Sequence, residues 1–356
     1  MHPSHPWLGN APCGWWYMKK SLRQMGTVLG WLYATLIIAW FVLHAWVGDA
    51  IWWLALLNSF TPFLFLPLLL ILPACLVCRW RAFQISAVPP VLIFLALYGD
   101  LFLPQLAVAS GEDSLVIMTF NVWGYSGSAE TAQAIIHDEV PDIVAIQELS
   151  SQMGEVLLAE LGAVYPYRSI RFGAEQESGM AVLSRYPLAV LEAEGLSGWR
   201  MQVVEIHTGE RSVTVYNIHL EVSNVLAYME DGTSLPEAVR ASWAKREAQV
   251  RALIADIAAR GGPVIVAGDL NSTDQSTAYG LLRKALADAH RVAGWGFGHT
   301  FPAYGGSWRG IPIVARQMRI DMIFYSQDFV ALRCRVGSTH GESDHLPVVA
   351  ELVWRE

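Results

Sequence analysis

Apolar residues are distributed unevenly along the chain and divide it into two parts. Three long apolar stretches lie in the first part, at 27–47, 51–78 and 85–106. Each is long enough to cross a hydrocarbon core of about 30 Å as a helix rising about 1.5 Å per residue. The pattern predicts a transmembrane region over 27–106 with three helices, preceded by a cytoplasmic tail over 1–26.

The second stretch is the least regular, because Pro62, Pro67 and Pro73 interrupt it. It is expected to be kinked or to begin at the membrane interface. Basic residues precede the first stretch, at 19–23, and fill the second connection, at 79–81. The positive-inside rule then places the N-terminus in the cytoplasm and, after three crossings, the C-terminal part outside. A re-entrant second stretch would leave that part in the cytoplasm.

Beyond a linker at 107–114, short β-rich runs alternate with helical periodicity. Strands are predicted at 115–122, 143–147, 180–184, 202–207, 212–220, 264–267, 320–325 and 346–353. Helices are predicted at 129–139, 152–161 and 236–259. Several strands are continuously apolar, as in strands covered on both faces. This order predicts an α/β domain over 115–356, in which two sheets pack together with helices outside both.

Charge separates the two parts in the same way as hydropathy. The chain is 53% hydrophobic, yet 30 of its 32 acidic and 19 of its 24 basic residues lie beyond residue 106. That part has a net charge of −11 and no run of basic residues. Phosphate contacts dominate nucleic-acid affinity, so a nuclease normally benefits from a basic surface. The charge therefore makes nucleic acid the less favoured partner without excluding it.

Polar side chains that folding alone does not explain recur where the predicted strands end. They are Asn121, Glu148, His219, Asp269, Asn271, Asp321, Asp344 and His345. Singly, each has an ordinary explanation: Asp269 and Asn271 as turn residues, His219 as a buried core histidine. Asp321 could be a structural acid, and Glu148 a helix N-cap. One shared site accounts for the whole set.

From about residue 115 to its end, the chain resembles the endonuclease/exonuclease/phosphatase superfamily. This superfamily includes DNase I-like nucleases, inositol polyphosphate 5-phosphatases and neutral sphingomyelinases. The resemblance rests on segments in the family's order: Asn121, Gln147-Glu148, Ser178-Gly179-Met180, Leu183-Ser184-Arg185-Tyr186-Pro187, Asn217-Ile218-His219-Leu220, Gly268-Asp269-Leu270-Asn271, Arg319-Ile320-Asp321 and Ser343-Asp344-His345. It implies a four-layer α/β sandwich, preceded here by an all-α transmembrane segment. With that segment, the chain also resembles bacterial membrane-tethered members, including a vancomycin/teicoplanin-resistance-type protein.

The resemblance implies a metal-dependent hydrolase of phosphoric ester bonds. Phosphate esters are anionic, and a hard divalent cation held by oxygen ligands neutralises that charge. We expect Mg²⁺, with Mn²⁺ able to replace it. Glu148 is the first expected ligand, and Asn121 is a neutral oxygen donor toward metal or phosphate. Asp344 is expected to bind the same ion or a second one.

A histidine beside a carboxylate is held in one tautomer, and its charged form is stabilised. The family pairing implies this arrangement for Asp321 and His345. His345 would act as a base toward water or as a donor to a phosphate oxygen. Asp269 is the rival base, with Asn271 as an orienting amide. His219 would protonate the leaving oxygen or bind the phosphate.

Arg246 lies on the apolar stripe of the helix predicted at 236–259, between Trp243 and Val250. Its stem is expected to pack while its head reaches solvent. The alternative is an arginine that faces the substrate phosphate. The loop at 298–302 is either a substrate-side element or a plain turn.

We expect a membrane-anchored phosphoesterase that acts on lipid-linked or phospholipid phosphate at the outer membrane surface. A tether at the bilayer raises the local concentration of lipid phosphates. A membrane-tethered nuclease is the first alternative. A catalytically idle binding domain on an anchor is the second, and the complete set of polar residues argues against it.

Overall fold

The computed structural model describes residues 13–103, 114–173, 178–193, 196, 200–222, 232–308 and 311–355. Residues 1–12 of the predicted tail at 1–26, and residues 107–113 of the predicted linker at 107–114, lie outside these residues. The chain divides into two compact units. One comprises the described residues of Met1–Val47 and Thr61–Leu97, and the other comprises those of Gly48–Phe60 and Tyr98–Glu356.

Three helical segments of the described chain are long and apolar enough to cross a membrane. They are Met18–Val47, Thr61–Cys78 and Arg81–Phe102. Helix α1 spans Cys13–Val47, α3 spans Leu68–Cys78 and α4 spans Arg81–Tyr98.

The apolar stretch predicted at 51–78 does not form one continuous helix. Helix α2, Trp52–Ser59, belongs to the second unit, and a 3-10 turn at Thr61–Phe65 precedes α3. Pro62 explains the interruption, because proline lacks an N–H group and disfavours helical conformation in the residue before it.

The second unit contains the sheets and their covering helices. The strands are β1 Ser114–Asn121, β2 Ile143–Leu149, β3 Tyr167–Phe172, β4 Gly179–Ser184, β5 Leu188–Leu191, β6 Met201–Thr208, β7 Arg211–His219, β8 Val264–Asp269, β9 Ala287–Asp288, β10 Gly306–Trp308, β11 Ile311–Ile313, β12 Asp321–Tyr325, β13 Phe329–Val336 and β14 Val348–Trp354. The remaining helices are α5 Ala129–Glu139, α6 Ser151–Leu161, α7 Leu235–Arg260, α8 Thr277–Ala285 and α9 Ala289–Ala293.

Two six-stranded sheets form the framework, in the orders β13-β14-β1-β2-β4-β3 and β5-β6-β7-β8-β12-β9. Alternate residues of β1 serve different layers. Ile117 packs between the two sheets, whereas Met118 and Phe120 pack against α5 and α6. Helices α7 and α8 cover the other sheet in the same way. The predicted four-layer α/β sandwich of two mixed sheets flanked by helices is confirmed.

The sheet register brings the ends of several strands to one edge of the sandwich. Strand β1 runs parallel to β2, and β7 runs parallel to β8. His219 therefore lies beside Asp269 at the ends of β7 and β8. Strand β12 runs antiparallel to β8, so its first residue, Asp321, also lies opposite Asp269. Side chains from both sheets can meet at this edge.

Candidate active site

Asn121 joins the two sheets through its side-chain amide. The amide nitrogen donates to Glu148 Oε1 at 3.0 Å and to Asp269 Oδ2 at 3.2 Å. The amide oxygen accepts a hydrogen bond from the backbone N–H of Trp123. The oxygen expected as a metal or phosphate ligand is thus engaged by the backbone here, and Asn121 holds two carboxylates together.

A local backbone irregularity directs Glu148 into the site. The pairing of β2 with β4 shifts register between Ile146 and Leu149, and Glu148 has a φ of +54°. Such a bulge turns one side chain away from the regular alternation of the strand. Gln147 points instead into the buried polar layer between the sheets, where it donates to Asn217 at 2.7 Å. About 20% of the Glu148 side chain is exposed to solvent.

His219 lies against two carboxylates but is held neutral. Its Nε2 atom is 3.4 Å from Glu148 Oε1 and 3.8 Å from Asp269 Oδ2. Burial, together with the positive charges of Arg200 and His345, lowers the pKa of His219 to about 3. His219 therefore enters the site as a neutral imidazole.

Asp269 lies at the centre of the cluster and is buried. Burial raises the pKa of Asp269 to about 7, and the negative charge of Asp321 acts in the same direction. Its Oδ1 atom accepts from the backbone N–H of Asn271 at 2.7 Å. This turn fixes the carboxylate so that Oδ2 faces Asn121 and the two histidines. Asp269 can hold or release a proton near neutral pH.

Asp321 and His345 form the pair that the family resemblance implied. Asp321 Oδ2 lies 2.9 Å from His345 Nδ1. Burial opposes the charged imidazolium, but Asp321, Asp269 and Asp344 outweigh burial and raise the pKa of His345 to about 10. Thr300 holds the start of the strand, since its Oγ1 accepts from the backbone N–H of Asp321. Thr300 lies in the loop at 298–302, for which the sequence alone did not distinguish a substrate-side element from a plain turn.

Asp344 lies at the mouth of the site with its side chain about 26% exposed. Burial and the negative charge of Glu148 raise the pKa of Asp344 above its usual value, although the positive charge of His345 acts in the opposite direction. The adjacent Ser343 fixes this loop, because its hydroxyl donates to the Asn121 carbonyl at 2.7 Å and accepts from the His345 N–H at 3.0 Å. Ser343 is therefore a positioning residue for both neighbours.

Arg246 is fully buried, so the interpretation in which its head reaches solvent is wrong. Its guanidinium lies 4.1 Å from the Trp243 ring centre and donates through Nη1 to the carbonyl of Asn271. Asn271 has a φ of +48°, and its amide nitrogen donates to the Leu220 carbonyl at 3.0 Å. Arg246 supports the loop that carries Asn271 from behind.

The ligand atoms of the cluster fit a divalent cation. Glu148, His219 and Asp269 offer atoms within 4.8 Å of one another, as do Asp269, Asp321 and His345. The three carboxylates of these two groups contribute the oxygen atoms that Mg²⁺ prefers. Within the described residues, Asp321 Oδ1 and Asp344 Oδ1 are buried and have no hydrogen-bond partner. A bound cation satisfies buried oxygen atoms of this kind.

A cavity of about 450 Å³ opens onto the cluster, lined by Glu148, Asp344 and His345 among others. Its wall also includes Leu56, Ser59 and Phe60. Sequence reasoning missed these three because it assigned them to a membrane span. The polar run of Asn58, Ser59 and Thr61 before Pro62 is the signal that separates them from it.

Comparisons with known proteins agree with the four-layer α/β sandwich fold. The model described as the Endonuclease/Exonuclease/phosphatase family matches residues 118–345, which include all of the expected site residues. No curated protein matches the sequence.

Two solved structures show the same fold. One is the endonuclease/exonuclease/phosphatase from Bacteroides vulgatus, with a TM-score of 0.51 and 21% identity over 68% of this chain and 100% of that one. The other is a family protein from Leptotrichia buccalis, with a TM-score of 0.50 and 17% identity over 67% of this chain and 100% of that one. At such identities the likeness concerns the fold alone.

Proposed function

This chain belongs to the endonuclease/exonuclease/phosphatase family and hydrolyses phosphoester bonds, and from that premise we propose a membrane-anchored phosphoesterase acting on lipid-linked phosphate. One observation carries the proposal. The buried cluster of carboxylates and histidines lies in the same compact unit as Gly48–Phe60, which connects two helices apolar enough to cross a membrane. A resemblance to membrane-tethered proteins of the vancomycin/teicoplanin-resistance type supports the same proposal.

A divalent cation is the proposed cofactor, because family members generally depend on one and the cluster offers its ligands. Glu148 and Asp344 are the residues that would hold Mg²⁺ or, in its place, Mn²⁺. When bound, the ion would neutralise negative charge on the substrate phosphate.

The pKa directions favour one assignment of the proton-transferring groups. His345 is charged at neutral pH, so its Nε2–H can donate to the leaving oxygen or to another phosphate oxygen. Asp269 titrates near neutrality, so it can accept the proton of the attacking water. His219 is neutral and serves as a hydrogen-bonding partner of the phosphate. As water forms its bond to phosphorus and the leaving oxygen departs, one proton goes to Asp269 and one comes from His345.

The contacts of Gly48–Phe60 support an extracytoplasmic position for the catalytic domain. This segment packs in one unit with the domain, so both lie on the same side of the membrane. If α1 crosses the membrane with its basic N-terminal end inside, that side is the outer one. The conclusion is the same whether the pair Thr61–Cys78 and Arg81–Phe102 crosses twice or re-enters. The proposed orientation therefore does not depend on whether the second apolar stretch crosses the membrane.

Charge supports a lipid substrate over a nucleic acid. The part beyond residue 106 has a net charge of −11, which does not favour a polyanion that contacts a large surface. A single phosphate group on a lipid needs only the local site. Its concentration near the active site is raised by the membrane anchor.

A substrate screen of the full-length protein in detergent tests the proposal. Dodecyl phosphate, a dodecyl phosphodiester and plasmid DNA are offered with Mg²⁺ and with Mn²⁺. We expect metal-dependent cleavage of a dodecyl ester and its loss when Asp269 is changed to Ala. Rapid DNA cleavage with no ester turnover would instead favour the nuclease.

A further inference from the structure

The cavity at the catalytic cluster is lined by two chemically different sets of residues. One set is charged or titratable and comprises Glu148, Asp344 and His345. The other set is apolar and includes Leu56 and Phe60 together with Val222, Trp243 and Met318. A site that received only inorganic phosphate or a small polar ester would have no need of these apolar residues, because they contribute through the burial of apolar surface.

Leu56 and Phe60 reach this wall because Gly48–Phe60 is attached to the catalytic domain by specific polar contacts. Asp49 Oδ2 accepts from the backbone N–H of Thr277, the first residue of α8, at 2.6 Å. In return, Thr277 Oγ1 accepts from the backbone N–H of Asp49 at 3.1 Å. A negative charge at the N-terminus of a helix is also favourable. These contacts fix the start of the segment.

Asn58 fixes the other end of the segment. Its amide nitrogen donates to Asp49 Oδ1 at 2.8 Å, and its carbonyl accepts from Thr273 Oγ1 at 3.3 Å. Asn58 is about 1% exposed, and Thr273 itself lines the cavity. The segment is thus held at its start by the first residue of α8 and at its end by the loop that follows β8, and α2 forms part of the active-site wall.

Phe60 is followed directly by Thr61, where the next apolar segment begins. An alkyl chain that contacts Leu56 and Phe60 therefore lies against residues that directly precede a candidate membrane span in the sequence. The cavity, at about 450 Å³, holds a phosphate group and the first part of such a chain.

We propose that Leu56 and Phe60 form a specificity wall that binds the alkyl chain of a lipid phosphate next to the catalytic cluster. This inference rests on the proposed function and adds the residues that select the substrate. It makes the connection between the first two apolar segments a component of the active site.

The test compares substrates that differ only in chain length, with the full-length protein in detergent micelles. Butyl and dodecyl phosphate serve for monoester cleavage, and the butyl and dodecyl esters of p-nitrophenyl phosphate serve for diester cleavage. The variants are Leu56→Ser and Phe60→Ser. Trp53→Ser is the matched control, because Trp53 lies on α2 with Leu56, is 45% exposed and is not among the residues that line the cavity.

The wild type is expected to have the higher kcat/KM for the dodecyl ester. Leu56→Ser and Phe60→Ser should each lower the dodecyl-to-butyl ratio of kcat/KM by about tenfold, the effect of losing apolar contacts in a pocket. Trp53→Ser should leave the ratio unchanged.

Other outcomes overturn the inference in distinguishable ways. A ratio that is unchanged in both variants, or equal losses for both chain lengths, would exclude the wall while leaving the phosphoesterase assignment intact. A wild type that cleaves DNA but neither class of ester would reject the proposed function, and the wall with it.

Discussion

The Nδ1 atom of His345 lies 2.9 Å from Oδ2 of Asp321, and the two residues are 5% and 1% exposed. The hydrogen bond fixes the imidazole so that Nε2 faces the site, 3.9 Å from both Asp269 Oδ2 and Asp344 Oδ1. Asp344 is adjacent to His345 in sequence, but it lies near Nε2, the other ring nitrogen from the one that contacts Asp321. Asp321, which is distant in sequence, orients His345. Asp344, which is adjacent in sequence, does not hold the ring in place.

Changing Asp321 to Asn removes the negative charge while keeping the shape of the side chain. The imidazolium loses the charged partner that stabilises and orients it, so kcat should fall by about 10³–10⁴-fold. Steady-state hydrolysis of a chromogenic phosphate ester measures this. Asp138→Asn, at an exposed position, is the control. Activity within about threefold of wild type would show that the pair has no catalytic role.

Changing Glu148 to Gln should weaken the metal site. The substitution removes one anionic oxygen ligand, so the Mg²⁺ concentration for half-maximal activity should rise by at least about tenfold. Calorimetric titration with Mn²⁺ gives a second readout that does not depend on turnover. Glu155→Gln, exposed on the next helix, should leave both values unchanged. Unaltered metal affinity in Glu148→Gln would remove Glu148 from the ligand set.

Changing Gly268 to Ala should destabilise the central sheet. Gly268 has a φ of +154°, and a Cβ atom there would lie 1.9 Å from the carbonyl oxygen of Ile218 on the neighbouring strand. The expected loss is about 3 kcal/mol in the free energy of unfolding. The melting temperature, followed by circular dichroism, measures it.

Gly280→Ala is the opposite case and serves as the control. Gly280 lies within α8, and a Cβ atom there would meet nothing within 4 Å. Alanine favours the helix, so stability should rise by about 1 kcal/mol. Equal melting temperatures for the two variants would contradict the close approach of β7 and β8.

The stability contributed by Asp288 should depend on pH. Although burial opposes its charge, Arg319 and Tyr279 keep the pKa of Asp288 below its usual value. The contribution is present above the unfolded value of about 3.9 and is lost as pH falls through the lower folded value. Asp288→Asn should cost about 3–5 kcal/mol at pH 7.

Urea unfolding of wild type and Asp288→Asn between pH 7 and pH 3 tests this dependence. The difference between the two proteins should be constant down to about pH 4 and should shrink below it. A difference that persists unchanged at pH 3 would mean that the charge of Asp288 is not what stabilises the fold.

Sequence patterns identified the strands and helices of the interior well. The helix at Ala129–Glu139 has the predicted bounds, and β1, β2 and β7 agree within two residues. These elements are buried on a whole face, so their apolar periodicity is strong. The exposed edge strands β3 and β5 have weak patterns and were not predicted.

The candidate site residues were predicted as a set because they follow apolar strands, yet their contacts could not be. That Asn121 donates to Glu148 and Asp269 depends on the register between two sheets. The position of Phe60 beside the cluster depends on contacts across more than 200 residues, such as Asp49 with Thr277. Local sequence carries no record of such long-range packing.

The most direct test of the account measures product release from a dodecyl phosphate ester by the full-length protein in detergent with Mg²⁺. The wild type should turn over, should stop when a chelator removes the metal and should recover when Mg²⁺ is returned. Asp269→Ala and His345→Ala should show almost no turnover under the same conditions. Undiminished turnover in either variant, or in the presence of chelator, would contradict the central claim.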